Sequence, residues 1–204
     1  MKKYIKWIVL LVCLFIFSFI AIKVYTDSEI VIDNILYNFI DKHFIGDSMT
    51  IFVKTITWFG GIVGIMLMCI ISLFIFKNKK INTCVVLNLI IVTILNNIIK
   101  IIFMRARPDI NPLVIETSYS FPSGHSMISM AFYGYLIYII YTHKDNIKIK
   151  WILITLLSIL ILLIGISRIY LGVHYTSDVI GGFCFGISYL IIYIDVTKKL
   201  LDIN

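Results

Sequence analysis

Two histidines of this chain stand beside residues that suit them for nucleophilic and acid–base chemistry. His174 and Asp178 are four residues apart, so on a helix their side chains share one face. A carboxylate bonded to one ring nitrogen fixes the tautomer and leaves the other nitrogen free to attack an electrophile. His125 is a candidate proton donor near neutral pH. Alone, a histidine–aspartate pair is more often structural than catalytic, so the neighbouring residues decide between the two roles.

The neighbouring residues are those of an anion site. The chain has only three arginines, and all lie close in sequence to these groups: Arg105, Arg107 and Arg168. A guanidinium presents a rigid fork of donors that fits phosphate oxygens two at a time. Pro122 and Ser123 favour a helix start, whose free backbone N–H groups bind anions, and Gly124 allows a ligand to approach the backbone. These residue types predict a phosphate site.

The elements that position these residues are predicted to be membrane helices. Of the 204 residues, 60% are hydrophobic and 14% charged, and the mean hydropathy is +1.01. That composition is typical of a protein with several membrane spans. The net charge of +7 does not indicate a nucleic-acid partner, because the lysines fall in short clusters between apolar runs. The four cysteines lie inside those runs, which argues against a disulfide framework or a zinc site.

Six apolar stretches are long enough, or nearly so, to cross a bilayer. They are Ile5–Val24, Ile56–Phe76, Ile81–Phe103, Ser126–Tyr141, Trp151–Ile166 and Val179–Val196. No cleavage site follows the first stretch, so we expect it to be retained as a span. No linker divides the stretches. The sequence therefore predicts an all-α integral membrane bundle of six transmembrane helices, folded as a single domain over residues 1–204.

The lysines predict the orientation of the bundle. They cluster before the first span, after the second, after the fourth and after the sixth: Lys2, Lys3 and Lys6; Lys77, Lys79 and Lys80; Lys144, Lys148 and Lys150; Lys198 and Lys199. These positions share one side of a six-span layout, which the positive-inside rule assigns to the cytoplasm. Both termini are then cytoplasmic, and the arginines and both candidate histidines face outward.

Two further patterns concern the surface of the bundle. In the segment 27–55, apolar pairs recur at helical spacing, which predicts an amphipathic helix that lies on the membrane or packs over the outer ends of the spans. Gly60-x-x-x-Gly64 and Gly182-x-x-x-Gly186 allow close helix packing. We expect that packing to be within the chain, with a homodimer seam as the alternative.

The chemically suited residues also form a pattern seen in a known family. Its three blocks are Lys100 with Arg107-Pro108, then Pro122-Ser123-Gly124-His125, then Ser167-Arg168 with His174 and Asp178. This arrangement resembles the signature of the type-2 phosphatidic acid phosphatase superfamily. The resemblance implies that His174 attacks phosphorus, that Asp178 orients it and that His125 protonates the leaving oxygen. It also implies that the phosphate is held, without a metal or cofactor, by Lys100, Arg107, Ser123, Gly124 and Arg168.

Arg105 matches no position of the signature, and we expect it to be a lipid-headgroup contact or a solvated residue. The resemblance implies a lipid phosphatase of the bacterial cell membrane that takes its substrate from the outer leaflet. Undecaprenyl diphosphate is the favoured substrate, and phosphatidylglycerol phosphate and phosphatidic acid are close alternatives. A protein that binds a phosphate headgroup without hydrolysis remains a second interpretation. A vanadate-dependent oxidant enzyme is a third, which the membrane setting disfavours.

Overall fold

The computed structural model describes residues 2–26, 30–110, 112–143 and 146–201, and in these ranges the chain is all helix and turn, without a strand. The helices are α1 (Lys2–Tyr25), α2 (Val31–Phe44), α3 (Asp47–Trp58), α4 (Ile62–Ile75), α5 (Lys79–Phe103), α6 (Gly124–His143), α7 (Ile147–Tyr170) and α8 (Thr176–Leu200). The predicted all-α class is therefore confirmed. Lys144, used for the predicted orientation, and residues 27–29 of the predicted surface segment lie outside the described ranges.

Four helices are long and apolar enough to cross a membrane, namely α1, α5, α7 and α8. The pair α3 and α4 forms a fifth candidate if the two are counted as one span. Large apolar side chains on these helices face outward, as Leu11 and Phe15 do on α1. This is the arrangement of a multi-pass membrane protein, in which lipid replaces water around the helices.

The predicted second span, Ile56–Phe76, is wrong as a single straight helix. The chain is helical to Trp58 and again from Ile62, and the two pieces meet at an angle of 52°. Gly60 and Gly61 form the break, and a Cβ at Gly60 would lie 2.5 Å from Cγ2 of Ile164. The glycines thus let α7 and the break approach more closely than any side chain would permit.

Helix α6 is the centre of the bundle and packs against α5, α7 and α8. It contains the predicted fourth span, but it is not among the helices apolar enough to be candidate spans. Its interior side chains include Tyr133 and Tyr135, both almost fully buried, whose hydroxyls donate to the carbonyl of Phe59 and to Thr197 Oγ1. A helix surrounded by protein can carry such polar groups because they find partners there. The predicted count of six spans stays a prediction.

The glycine motifs act inside the chain. A Cβ at Gly182 would lie 2.8 Å from the carbonyl oxygen of Ser123, and one at Gly186 would lie 2.9 Å from that of Met127. Both glycines therefore allow α8 to press against the backbone of α6. They leave no seam for a second copy of the chain, and a homodimer stays a prediction without an assigned surface.

The amphipathic segment is helical, as its spacing predicts. Helix α2 turns Ile40 and Asp33 inward, where both are buried against α7 and α8. Its other face exposes Val31, Ile35 and Phe39. The helix thus packs over one end of the bundle while presenting apolar side chains away from it.

Candidate active site

The predicted functional residues meet at one end of the bundle because four helix ends converge there. Helix α5 ends just after Lys100, where Met104 adopts a left-handed conformation that stops the helix. Helix α6 begins at Gly124, and α7 ends just after Arg168. Gly172, with a φ of 68°, then turns the chain so that His174 precedes α8. That conformation is readily adopted only by glycine, which accounts for the residue at this turn.

His174 is held between a carboxylate and a guanidinium. Its Nδ1 lies 3.4 Å from Oδ2 of Asp178, and its Nε2 lies 3.4 Å from Nη1 of Arg107. The side chain is 2% exposed. Burial lowers the pKa of His174 to about 4, although the hydrogen bond with Asp178 acts in the opposite direction. The imidazole is therefore neutral at pH 7. Because Asp178 can only accept and Arg107 can only donate, we assign the proton to Nδ1 and the nucleophilic lone pair to Nε2.

Asp178 is completely buried but well supplied with donors. Its Oδ2 accepts from Ser120 Oγ at 2.5 Å and from the backbone N–H of Tyr175 at 2.9 Å. Its Oδ1 accepts from Arg105 at 2.6 Å. A buried carboxylate without such partners would cost several kcal/mol. The donors keep Asp178 ionised and fix its orientation towards His174.

A cavity of about 360 Å³ lies against this pair, and both histidines line it. Lys100, Arg107 and Gly124 line it as well, so five of the eight predicted site residues share one space. Among the described residues, the ring nitrogens of His125 have no hydrogen-bond partner, which leaves them available to a ligand. The ring packs closely against the α3–α4 break. A Cβ placed at Gly60 would lie only 3.0 Å from Cδ2 of His125.

The far part of the cavity is apolar. It is bordered by α4 and α5 and lined there by Ile62, Ile65, Met66 and Leu89. The same space therefore combines cations and imidazoles at one end with hydrocarbon side chains at the other. Such a cavity fits an amphiphile whose head is anionic and whose tail is apolar.

Arg168 lies behind the cavity wall rather than on it. The residue is 2% exposed, donates to Thr57 Oγ1 at 2.8 Å and forms an ion pair with Glu116. Glu116 also lies 3.9 Å from Arg107 and lines the cavity. Its carboxylate thus bridges the two arginines predicted to hold phosphate. The Nε atom of Arg168 is buried without a partner among the described residues, an unsatisfied donor that an anion would satisfy.

Ser123 is enclosed and joins two of the signature blocks. Its backbone N–H donates to the carbonyl of Asp178 at 3.0 Å, and its hydroxyl accepts from Ser126 at 3.0 Å. It is fully buried, and it does not line the cavity. Ser123 therefore ties the start of α6 to the start of α8, and its predicted contact with phosphate stays a prediction.

The expectation for Arg105 is wrong, because this residue is neither solvated nor a headgroup contact. Its side chain is 16% exposed, and it forms ion pairs with Asp33 at 2.9 Å and with Asp178 at 2.6 Å. Its guanidinium also lies 4.0 Å from the ring centre of Tyr175. The predicted site did not include Asp33. One signal existed for Asp33, since it shares a helical face with Ile40, seven residues on.

The three blocks lie inside the part of the chain that matches a known family. A family model described as the PAP2 superfamily matches residues 82–202, which is more than half of the chain. The chain belongs to this superfamily. The predicted family is confirmed, and with it the predicted class of enzyme, a membrane lipid phosphatase.

The relatives of this PAP2 chain carry different substrate names. It is 29% identical to an undecaprenyl-diphosphatase of Sulfolobus acidocaldarius over the whole chain and 98% of that protein. It is 43% identical to phosphatidylglycerophosphatase B of Bacillus subtilis over 95 residues, which is 46% of this chain and 47% of that protein. That second match therefore spans only about half the length of the relative.

A solved structure shares the fold of this PAP2 protein. It is described as the first transmembrane PAP2 type phosphatidylglycerolphosphate phosphatase from Bacillus subtilis. The TM-score is 0.79 at 27% identity, with 92% of this chain and 96% of that chain covered. The structure of Aquifex aeolicus LpxE is also similar, with a TM-score of 0.63, 26% identity and coverage of 80% and 94%.

Proposed function

We propose that the protein hydrolyses undecaprenyl diphosphate to undecaprenyl phosphate through a phosphohistidine on His174. The observation that carries the proposal is the single cavity lined by His174 and His125 at a cationic end and by apolar side chains between α4 and α5. The cationic end suits a phosphate, and the apolar end suits the first part of a lipid tail. A pure headgroup binder would have no use for a neutral, oriented imidazole beside a second one.

The proposed reaction has two steps. In the first, Nε2 of His174 forms a bond to the terminal phosphorus while the bond from phosphorus to the bridging oxygen breaks. His125 gives a proton to that oxygen, and Asp178 offsets the positive charge that develops on the His174 ring. In the second step, water gives a proton to His125 and attacks phosphorus, the nitrogen–phosphorus bond breaks, and inorganic phosphate leaves, so that both histidines return to their starting state. Lys100, Arg107 and Arg168 stabilise the charge on the phosphoryl oxygens, which is the main demand of phosphoryl transfer.

In this proposal, the phosphate uses the donors that Glu116 contacts. Its carboxylate spans Arg107 and Arg168, and phosphate oxygens fit the same donors. Glu116 therefore swings aside when the substrate arrives. Its contacts keep both guanidinium groups in position until then.

The relatives of the protein support two different lipids as the substrate. The relative that aligns over the whole chain is named an undecaprenyl-diphosphatase, which favours the diphosphate. The similar structure is named a phosphatidylglycerolphosphate phosphatase, which supports phosphatidylglycerol phosphate as the second candidate. Phosphatidic acid is the third. The cationic end of the cavity recognises phosphate in all three lipids, so activity must rank them.

The test is phosphate release by detergent-purified protein in the presence of EDTA. Undecaprenyl diphosphate, phosphatidylglycerol phosphate and phosphatidic acid are assayed side by side, and we expect the highest kcat/KM for the diphosphate. A higher value for phosphatidylglycerol phosphate would transfer the assignment to that lipid. No release from any of them by folded protein would contradict the phosphatase proposal, and loss of release with EDTA would contradict its independence of metal.

We also propose that both termini are cytoplasmic and that the site opens on the outer side of the bacterial membrane. The lysines between α4 and α5 support this orientation, because they lie at the opposite end of α5 from Lys100. A membrane-impermeant maleimide applied to intact cells tests it with two single-cysteine additions. Ile115→Cys, at a position 92% exposed on the site side, should label before lysis. Lys77→Cys, exposed between α4 and α5, should label only after lysis.

The native cysteines provide a low background in that experiment. Cys13, Cys69, Cys84 and Cys184 are all buried and free. The unmodified protein should therefore show little labelling under either condition. Labelling of Lys77→Cys in intact cells, with Ile115→Cys protected, would invert the proposed orientation.

A further inference from the structure

Arg105 joins the histidine–aspartate pair to a second buried carboxylate on a different helix. One of its terminal nitrogens donates to Asp178 Oδ1 at 2.6 Å and to Ser177 Oγ at 2.8 Å. The other donates to Asp33 Oδ2 at 2.9 Å. Arg105 does not line the 360 Å³ cavity. It therefore contacts the carboxylate that orients His174 without reaching the position of the substrate.

Asp33 is fixed as firmly as Asp178. It is 6% exposed and accepts two hydrogen bonds from Ser177 of α8: the backbone N–H donates to Oδ1 at 2.7 Å, and the hydroxyl donates to Oδ2 at 2.8 Å. Ser177 directly precedes Asp178. The first turn of α8 is thus held from α2 on one side, while Ser120 holds Asp178 from the α5–α6 connection on the other.

We propose that Asp33 and Arg105 are positioning residues of the phosphatase, which set the orientation and the charge of Asp178 and, through it, of His174. The inference rests on the proposed function and extends it to two residues outside the family signature. Arg105 keeps Asp178 ionised. Because Asp33 also pairs with Arg105, the guanidinium does not fully neutralise Asp178. The carboxylate of Asp178 can then stabilise the positive charge on the phosphorylated ring of His174.

If Arg105 and Asp33 position Asp178 electrostatically, their replacement changes the pH dependence of activity, which the loss of a merely structural contact would not do. Removal of the Arg105 guanidinium leaves the fully buried Asp178 beside a second carboxylate without the cation between them, which raises the pKa of Asp178. The titratable groups that face the two carboxylates from the surrounding elements are Lys100 on α5, Arg105 and Arg107 in the α5–α6 connection, and His174 and Tyr175 before α8. Within the described part of the chain, Arg105 is the one side chain that forms ion pairs with both carboxylates.

The experiment measures kcat and KM against pH for purified wild type, Arg105→Gln, Asp33→Asn and the double variant. In Arg105→Gln we expect kcat to fall about 10- to 100-fold at pH 6, with KM nearly unchanged. We also expect the acid limb of kcat/KM to move up by about one pH unit or more. Asp33→Asn should lower kcat about 10-fold without moving the acid limb upward, because it leaves Asp178 paired.

The double variant separates the proposal from a merely structural role. It removes both the cation and the second carboxylate, so the acid limb should return towards that of the wild type and kcat should exceed that of Arg105→Gln. Asp41→Asn, at an exposed position on α2, is the matched control and should behave as wild type. Folding of each variant is checked by its elution from size exclusion and its thermal midpoint.

Two outcomes would overturn the proposal. The first is a double variant as slow as Arg105→Gln or slower, with parallel losses at every pH, which would show that the contacts only support the fold. The second is wild-type kinetics in both single variants. Failure of the proposed function itself is distinguishable, because the wild type would then release no phosphate or the His174→Ala variant would remain active.

Discussion

Replacement of His174 by alanine is expected to abolish turnover, with a loss of at least about 10⁴-fold in kcat. The neutral imidazole is the group whose Nε2 lies 3.4 Å from Nη1 of Arg107 at the cavity wall, and no other described side chain combines that position with an orienting carboxylate. The measurement is phosphate release from the favoured lipid. Quenching with an alkaline denaturant during turnover of a substrate labelled in its terminal phosphate should also trap a base-stable, acid-labile label on wild type and none on His174→Ala.

His43→Ala is the control for this variant. His43 is exposed on α2, where its Nδ1 lies 2.8 Å from the carbonyl oxygen of Phe39, and it should be dispensable. Equal labelling of wild type and His174→Ala, or full turnover by His174→Ala, would remove His174 from the role of nucleophile. Loss of activity in both histidine variants would point instead to a defect of folding.

Replacement of His125 by glutamine is expected to lower kcat by about 10²- to 10⁴-fold, with a size that depends on the leaving group. Phosphatidic acid releases an alcohol, whose oxygen needs a proton as the bond to phosphorus breaks. Undecaprenyl diphosphate releases a phosphate ester, and p-nitrophenyl phosphate releases a phenol. Both of these leaving groups depart as anions more readily than an alcohol does. The loss should therefore be largest for phosphatidic acid and smallest for the aryl ester.

The comparison of kcat across the three substrates measures this dependence directly. His143→Gln is the control, since His143 ends the same helix far from the site. An equal loss for all three substrates would mean that His125 helps to bind phosphate rather than to protonate the leaving oxygen. An unchanged rate with phosphatidic acid would exclude His125 from either role.

The part of the site that could be predicted from the sequence is the part fixed by local chain geometry. Lys100, Gly124, His125 and His174 each lie at or next to a helix end, and helix ends follow from glycine, proline and apolar periodicity. Once the spans are antiparallel neighbours, these ends must meet. The sequence thus predicted a shared phosphate cavity without any knowledge of the packing angles.

The contacts that were missed depend on how distant segments dock. Asp33 and Arg105 are 72 residues apart, and their ion pair exists only because α2 packs over α8 at one register. Nothing in the local pattern around Arg105 distinguishes it from a solvated arginine, so its predicted exposure was wrong.

The α3–α4 bend was missed for another reason. The apolar run continues through Gly60 and Gly61, and an average over hydropathy does not register two residues that permit a sharp turn.

The interior place of α6 has a consequence for the biogenesis of the protein. A helix that carries tyrosine and serine in place of leucine has little tendency to leave the translocon for lipid unaided, and α6 is therefore expected to enter the bilayer together with α5 or α7. The N–H of Ser123 forms its hydrogen bond to the carbonyl of Asp178 only after α8 has been synthesised. A chain that stops before α8 thus holds an incomplete site, and hydrolytic capacity arises only after α8 has been synthesised.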